Sequence, residues 1–392
     1  MVKVGLIATH PIQYHIPWYR LLAAEEGIDL TVYYALLPDE GQQGVGFGVS
    51  FAWDIPMLEG YRWEVLANTG RSPGLKGFFA SSTPGVYRVL AAARPDVVII
   101  TGWQSLPLVQ ALWACVRLRI PRIIRGESNA LHERPWWVKS LHRLLLARFD
   151  AYLTIGRANR DFYLGYGLAP ERIFPCRYFV DNQRFLEQAR ELRGEREQLR
   201  AGWRIPPGAA CFLYVGKLEP KKRIMDLLRA MDRAQQCRGD IFLLVVGAGE
   251  LMDEARSFVD KRGLPATFAG FLNQTEITRA YVAADCLVLP SDFGETWGLV
   301  VNEAMVCGLP AVVSDRAGCG PDLVENGVTG AVFACGDIEA LTGALLAMAA
   351  DRERLVSMGK QAQERVRSYS VEAAVEGTLQ AIHAATGKAC TA

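Results

Sequence analysis

Residues 286–310 read CLVLPSDFGETWGLVVNEAMVCGLP. Cys286 to Pro290 is an apolar run of strand length, and helix-like sequence begins at Leu299, so Ser291 to Gly298 reads as a strand-to-helix turn. Glu295 then sits in the turn, and Glu303, eight positions on, lies along the helix. In an open α/β sheet, ligands bind outside the carboxyl ends of the strands, where helix N-termini offer unpaired amides to anions. Two carboxylates in these places can bracket a ligand whose phosphate rests on the helix start. Standing alone, the two glutamates would be read more simply as exposed, one in a loop and one on a helix.

They do not stand alone. Ser291, Glu295, Gly298, Leu299, Glu303, Ala304, Gly308 and Pro310 together resemble the Glu-x7-Glu signature of the family 4 retaining glycosyltransferases, a group with the GT-B fold. The resemblance implies an α/β protein of two Rossmann-like domains, with parallel sheets facing a central cleft. It also implies a nucleoside-diphosphate sugar as donor, with Glu295 near the sugar and Glu303 at the ribose hydroxyls. The diphosphate would then rest on the backbone from Thr296 through Trp297, Gly298 and Leu299.

A second motif lies upstream. Phe212 to Val215 reads as a buried strand, followed by Gly216, Lys217, Leu218, Glu219, Pro220, Lys221, Lys222 and Arg223, with helical spacing from Asp226 to Met231. Basic residues thus stand at the carboxyl end of a strand. In the family this loop carries an Arg after the Gly and a Lys five residues later, both on the diphosphate; Lys217 and Lys222 occupy those places. Lys in place of Arg keeps the charge and gives up the bidentate fork. Arg223 replaces the family's usual Gly, either adding a cation or pointing outward.

Strand-like runs near 2–8, 28–34, 96–100, 121–125 and 151–155 alternate with helical stretches, and the alternation restarts near 211–215, 241–246, 266–269, 286–290, 311–313 and 331–333. Such alternation predicts parallel sheets. The two series predict an N-terminal domain over 1–181 and a donor-binding domain over 182–368, joined near Asp181. By the resemblance, residues 369–392 return as a helix to the first domain. Val246-Gly247-Ala248-Gly249 lacks the third glycine of a dinucleotide fingerprint and reads as a tight turn. The turn at Gly318 to Gly327 is read as mainly structural.

The chain has 392 residues, half of them apolar, and a net charge of +1. This is too long for one ordinary core, and it is neither a disordered chain nor a polyanion binder, so nucleic acid is not expected as a partner. The nine cysteines show no Cys-x2-Cys pair and no metal-finger spacing; buried thiols in a reducing cytosol are the expectation. No P-loop, paired-His or Asp-x-Asp motif occurs, so no metal and no cofactor beyond the donor substrate is expected. Val97 to Val116 is uncharged over twenty residues, but Thr101, Gly102, Gln104 and Ser105 break it into a strand and a helix starting near Pro107.

The N-terminal half departs from the commonest family pattern. Where many members have a Gly-Gly loop after the first strand, this chain has Thr9-His10-Pro11-Ile12-Gln13-Tyr14-His15, resembling a His-Pro-Ile-Gln-Tyr variant of a family subset. His10, Gln13 and Tyr14 are cleft candidates, His10 as a hydrogen-bond donor and Tyr14 as a sugar-stacking or shaping group; the alternative is a capped helix entry with Tyr14 in the core. The family's mid-domain His is missing from Thr101 to Gln104. Arg125 and Glu127 close a strand and are candidates to hold the acceptor or the sugar, while Ser128 is a candidate helix cap.

Arg117 to Arg148 holds eight Lys or Arg against two Glu, with Trp136, Trp137, Leu141, Leu144, Leu145 and Leu146 among them. Residues 134–148 either lie on an anionic membrane surface or bury their leucines in the domain. The expected activity is retaining glycosyl transfer to a glycan, lipid-linked or small-molecule acceptor in bacterial glycan, glycolipid or glycosylated-metabolite biosynthesis. Lys217, Lys222 and Glu295 would be the catalytic groups, with Gly216 beside the donor. The expected place is the cytoplasm, with peripheral contact at the inner membrane face only under the first of the two readings of residues 134–148. A GT-B-fold sugar-nucleotide epimerase and a non-catalytic nucleotide-sugar-binding subunit are the alternatives.

Overall fold

The computed structural model describes residues 1–46, 48–70, 73–75 and 77–388. It divides into two compact α/β units. Unit 1 comprises Met1–Gln43, Ile55–Tyr178 and the residues from Val371 onward; unit 2 comprises Gly44–Asp54 and Phe179–Ser370. The unit boundary at Tyr178 lies three residues before the expected joint near Asp181. Gly44–Asp54, read from sequence as part of the first domain, groups with unit 2.

Unit 1 is built on a seven-stranded parallel sheet of β1 (Val2–Ala8), β2 (Ile28–Tyr34), β3 (Arg62–Val65), β4 (Val97–Ile100), β5 (Arg122–Arg125), β6 (Ala151–Thr154) and β7 (Ile173–Pro175), in the order β3-β2-β1-β4-β5-β6-β7. Leu6 pairs with Val32 on one side and Ile99 on the other, and every residue of β4 and β6 is buried. Helices cover both faces, so these strands are continuous apolar runs rather than alternating ones. The expected strands are all present. The two that sequence reading missed are edges: β3 is largely exposed, and β7 has three residues and ends on Pro175, a residue sheets tolerate at edges. The helix Val371–Thr386 packs on unit 1. A Cβ on its Gly377 would lie 1.6 Å from the Pro175 carbonyl oxygen, so helix and strand backbones are in direct contact there.

Unit 2 has a six-stranded parallel sheet of β8 (Ala210–Val215), β9 (Ile241–Val246), β10 (Ala266–Gly270), β11 (Cys286–Leu289), β12 (Ala311–Ser314) and β13 (Gly330–Phe333), in the order β10-β9-β8-β11-β12-β13. The order reverses between β8 and β11, which pair through Phe212 and Cys286. This is the switch point at which doubly wound sheets open a crevice outside their strand ends. The loops that leave these two strands are the two that carry the sequence motifs.

Among the described residues, no helix is long and apolar enough to cross a membrane. The eight described cysteines are unpaired, and six of them are buried.

Candidate active site

At the switch point of unit 2 the β8 loop and the β11 loop are tied together. The backbone amide of Asp292 donates to the Lys221 carbonyl at 2.9 Å. Across this tie the Lys222 ammonium pairs with Glu295 Oε2, and Ser291 Oγ donates to the same oxygen at 3.2 Å. The two side chains are 18% and 13% exposed, so the pair is sheltered yet within reach of a ligand. Gly216 stands beside Lys222, where a Cβ would lie in ordinary contact, 4.0 Å from Lys222 Cδ.

Lys217 takes a different path. Its Nζ donates to the Val45 carbonyl at 3.0 Å, in the Gly44–Asp54 segment that also receives Asn273 and Thr275 through Ala52 and Asp54. Tyr214 OH holds the Lys217 carbonyl at 2.9 Å. Arg223 is no third cation for the site: its Nε bonds Asp226 Oδ2 at 2.6 Å, and Asp226 is shared with Arg229. Val246 to Gly249 is a packed turn, as read. A Cβ on Gly247 would stand 1.9 Å from the Gly216 carbonyl oxygen, and the Leu218 amide donates to the Ala248 carbonyl at 2.9 Å.

The helix Leu299–Val306 starts at Gly298, whose φ of +107° no side-chain-bearing residue adopts without strain. A Cβ there would also lie 2.5 Å from Leu289 Cδ2. Trp297 is buried, its Nε1 donating to Asn302 Oδ1 at 2.8 Å, so its indole is part of the core and only its backbone is available to a ligand. Thr296 and Leu299 are half-buried on either side. The Gly318 turn packs under this loop, its amide on the Glu295 carbonyl at 3.2 Å. Glu303, one turn into the helix, is buried, and Tyr281 OH donates to its Oε2. The structure thus brings Lys222, Glu295, Ser291 and the helix start together, with Glu303 inside the same helix and Lys217 on the Val45 segment.

In unit 1 the loop after β1 carries His10, Gln13 and Tyr14, all half-buried. Thr9 Oγ1 and His10 Nδ1 are 2.9 Å apart, and burial pushes the His10 imidazole down to about 4. The group that faces inward is the neighbouring His15. Its Nε2 lies 3.1 Å from Arg125 Nη1; a guanidinium only donates, so Nε2 accepts and the imidazole is neutral. Burial, then the Arg125 charge, hold it well below the ordinary histidine value. Arg125 is 1% exposed, its Cζ 4.6 Å from the Tyr178 ring centre and 5.3 Å from that of Trp18. Tyr178 OH donates to Glu127 Oε1, and burial followed by the Glu127 charge raises this phenol. Glu127 therefore keeps contact with solvent while Arg125 does not. Ser128 caps no helix; its carbonyl accepts from Asn159 Nδ2. Among the described residues no group of three or more His, Cys, Asp or Glu could hold a metal ion.

Two family models match the chain: the glycosyl transferase 4-like domain over residues 22–177 and glycosyl transferases group 1 over residues 195–365. The chain belongs to the group 1, family 4 glycosyltransferases. Relatives of the family include the sulfoquinovosyl transferase of Arabidopsis thaliana, 29% identical over 80% of this chain and 59% of the plant protein. Another is a glycogen synthase of Mycobacterium tuberculosis, 34% identical over 70% of this chain and 65% of that protein. The alignments thus span 59% to 65% of the length of these relatives. Among solved structures, Anabaena HepE in complex with UDP and glucose superposes with a TM-score of 0.70 at 18% identity, covering 96% of this chain and 98% of its own. The sucrose-phosphate synthase of Thermosynechococcus elongatus gives 0.69 at 19%, covering 96% and 97%. These likenesses carry the fold, the GT-B class of two parallel-sheet α/β units.

Against the family pattern, three groups around the expected residues were not legible from sequence. Tyr281 sits on a separate helix from the glutamate it holds, and Tyr178 is 51 positions from Glu127. His15 was in plain view, one residue beyond Tyr14, but nothing in its neighbours signals burial. The helix Trp136–Leu146 also differs from the packed alternative. Only Leu146 is buried; Trp136, Trp137, Leu141 and Leu144 are 78%, 59%, 50% and 55% exposed. The side that faces the unit consists of Leu146 with the half-buried Val138, His142 and Leu145.

Proposed function

We propose that this chain is a retaining glycosyltransferase that moves a sugar from a nucleoside-diphosphate sugar to an acceptor hydroxyl. The Lys222–Glu295 pair beside the Gly298 helix start carries this reading: a cation and helix amides for a leaving diphosphate, next to a carboxylate for the sugar. Glu303, oriented by Tyr281, is assigned to the ribose hydroxyls. HepE, a fold neighbour that holds UDP, makes uridine diphosphate sugars the first donors to test.

The bond that breaks joins the anomeric carbon to the phosphate oxygen. Its electron pair leaves with the diphosphate, where Lys222 and the amides from Thr296 to Leu299 receive the negative charge, joined by Lys217 once its Nζ leaves the Val45 carbonyl. The acceptor oxygen bonds to the anomeric carbon on the face the diphosphate leaves, and its proton passes to the departing phosphate oxygen. Glu295 steadies the positive charge that develops on the sugar and keeps the Lys222 ammonium in place. No protein nucleophile and no metal enters this sequence. In unit 1, Glu127 is the group offered to the acceptor, with Arg125, His15 and Tyr178 fixing its position.

The acceptor belongs at an anionic membrane surface. At 100° per residue, Trp137, Leu141 and Leu144 share one outward stripe of the helix Trp136–Leu146, while Trp136, Arg143 and Lys139 stand roughly 110°, 130° and 170° round from its centre, on the other part of the exposed arc. All six are exposed, and no ion pair engages Lys139 or Arg143 among the described residues. An interfacial helix offers an exposed apolar stripe of this kind to the headgroup boundary, and long basic side chains elsewhere on its exposed arc can reach round to lipid phosphates. Of the basic residues that sequence reading counted here, Arg125 is buried and Arg122 pairs with Asp150, so the lipid-facing charge is smaller than the composition implied.

Proton NMR of slow donor hydrolysis tests retention without knowledge of the acceptor. An α-linked donor should release the α-sugar first; the β-sugar first would contradict the mechanism.

A further inference from the structure

A hollow of about 400 Å³ opens on unit 2 at the far end of the helix Leu299–Val306 from Gly298. Arg193, Arg196, Arg352 and Lys360 line it, with Asp285 as the one carboxylate and Tyr281 on its wall. None of Lys217, Lys222, Glu295 or Glu303 lines it. Its volume is that of a small-molecule site, but a lining with four cations does not suit a neutral ligand.

Asp285 does not balance these cations. Its Oδ1 takes Arg196 at 2.7 Å, and its Oδ2 takes the buried Arg200 at 3.2 Å and the Cys211 amide at 2.8 Å. Arg352 stands 3.8 Å away. Arg193 and Lys360 are exposed and, among the described residues, have no ion-pair partner. Arg352 also donates Nη1 to the Gly208 carbonyl at 2.9 Å, so Arg193 and Lys360 are the two cations left facing a concave space after Asp285 is matched by Arg196, Arg200 and Arg352. Cations also complement the negative end of a helix dipole, but here Gln363 Nε2 already donates to the Val306 carbonyl at 2.7 Å.

We propose that this hollow is a second anion-binding site, for a small soluble phosphate compound. The Arg193 fork and the Lys360 ammonium match phosphate oxygens through charge-assisted hydrogen bonds, with the Arg352 charge beside them. The site stands independently of the donor assignment. It touches the donor reading at one place: Tyr281 lines the hollow and also hydrogen-bonds Glu303.

The test is calorimetric titration of inorganic phosphate and of glucose 6-phosphate into the full chain carrying Lys222→Ala, which weakens phosphate binding at the switch point. Saturable binding is expected there, weakened about tenfold or more when Arg193→Ser and Lys360→Ser are added. Both added positions are exposed, so the melting temperature in phosphate-free buffer should not move. Absence of saturable binding, or binding unchanged by the double substitution, overturns the proposal. So does binding seen only with vesicles of phosphatidic acid in phosphatidylcholine, which would make the hollow a lipid headgroup site.

Discussion

Lys222 and Glu295, 73 positions apart, form an ion pair across the strands β8 and β11, at the point where the order of the sheet reverses. Each group fixes the other, and the pair lies beside the helix start at Gly298. Positive charge is thereby held in place before any ligand arrives, and charge that needs no reorganisation is worth most to a transition state.

Lys222→Ala should lower kcat/KM for donor turnover by about 10²–10³-fold, roughly 3–4 kcal/mol, the scale of removing one placed donor from a developing oxyanion. Lys222→Arg should lose less, because the charge remains. Steady-state rates of sugar release, followed by NMR, measure both; an unimpaired Lys222→Ala enzyme would remove this residue from the mechanism.

Gly298→Ala places a methyl group at φ +107° and within 2.5 Å of Leu289 Cδ2. Strain and overlap together should cost about 2–4 kcal/mol and lower the melting temperature by several degrees. Gly343→Ala, which meets nothing within 4 Å in its helix, is the control and should leave it unchanged or raise it.

His15 makes stability depend on pH in a definite direction. In the folded chain burial holds it neutral well below 6.5, while the unfolded chain takes up its proton near that value. Protons therefore favour unfolding as pH falls below about 6.5, by up to about 1.4 kcal/mol per pH unit. His10 adds to the trend until about 4. Denaturant midpoints from pH 7.5 to 5 should fall, and His15→Gln should flatten the slope.

The sheets and the donor-side motif were legible because their signals are local. Buried parallel strands are unbroken apolar runs, and the Glu295 and Lys222 motifs each lie within one loop and the adjoining helix. Edge strands β3 and β7 lack such runs. The unit 1 cluster was illegible for another reason: Arg125 is buried by Trp18 and Tyr178, which come from distant parts of the chain. From sequence, Arg125 was a candidate ligand group; its 1% exposure was not legible there. The exposed stripe of the helix Trp136–Leu146 was undecided, since an amphipathic pattern alone does not say which side is covered.

That stripe gives a binding prediction. The chain should cosediment with vesicles containing phosphatidylglycerol and leave vesicles of phosphatidylcholine alone. Trp137→Ser with Leu141→Ser should abolish the binding, while Lys139→Glu with Arg143→Glu should weaken it and remove its salt dependence. Equal binding to both vesicle types would contradict a charge-guided surface.

In the proposed mechanism Lys222 and the helix start receive the charge of the diphosphate, so a chelator should leave donor turnover within about twofold of its untreated value. A loss restored by magnesium or manganese would assign that charge to a metal.

The central claim is that unit 2 binds a nucleoside-diphosphate sugar through the Lys222, Glu295 and Glu303 elements. Saturation-transfer NMR with UDP-, GDP-, ADP- and dTDP-sugars, on the native chain and on Glu303→Gln, tests it most directly. The account predicts selective saturation of one nucleotide sugar, strongest at its ribose protons and weakened by the substitution. No saturation of any of them at low salt, or equal saturation in Glu303→Gln, would contradict it.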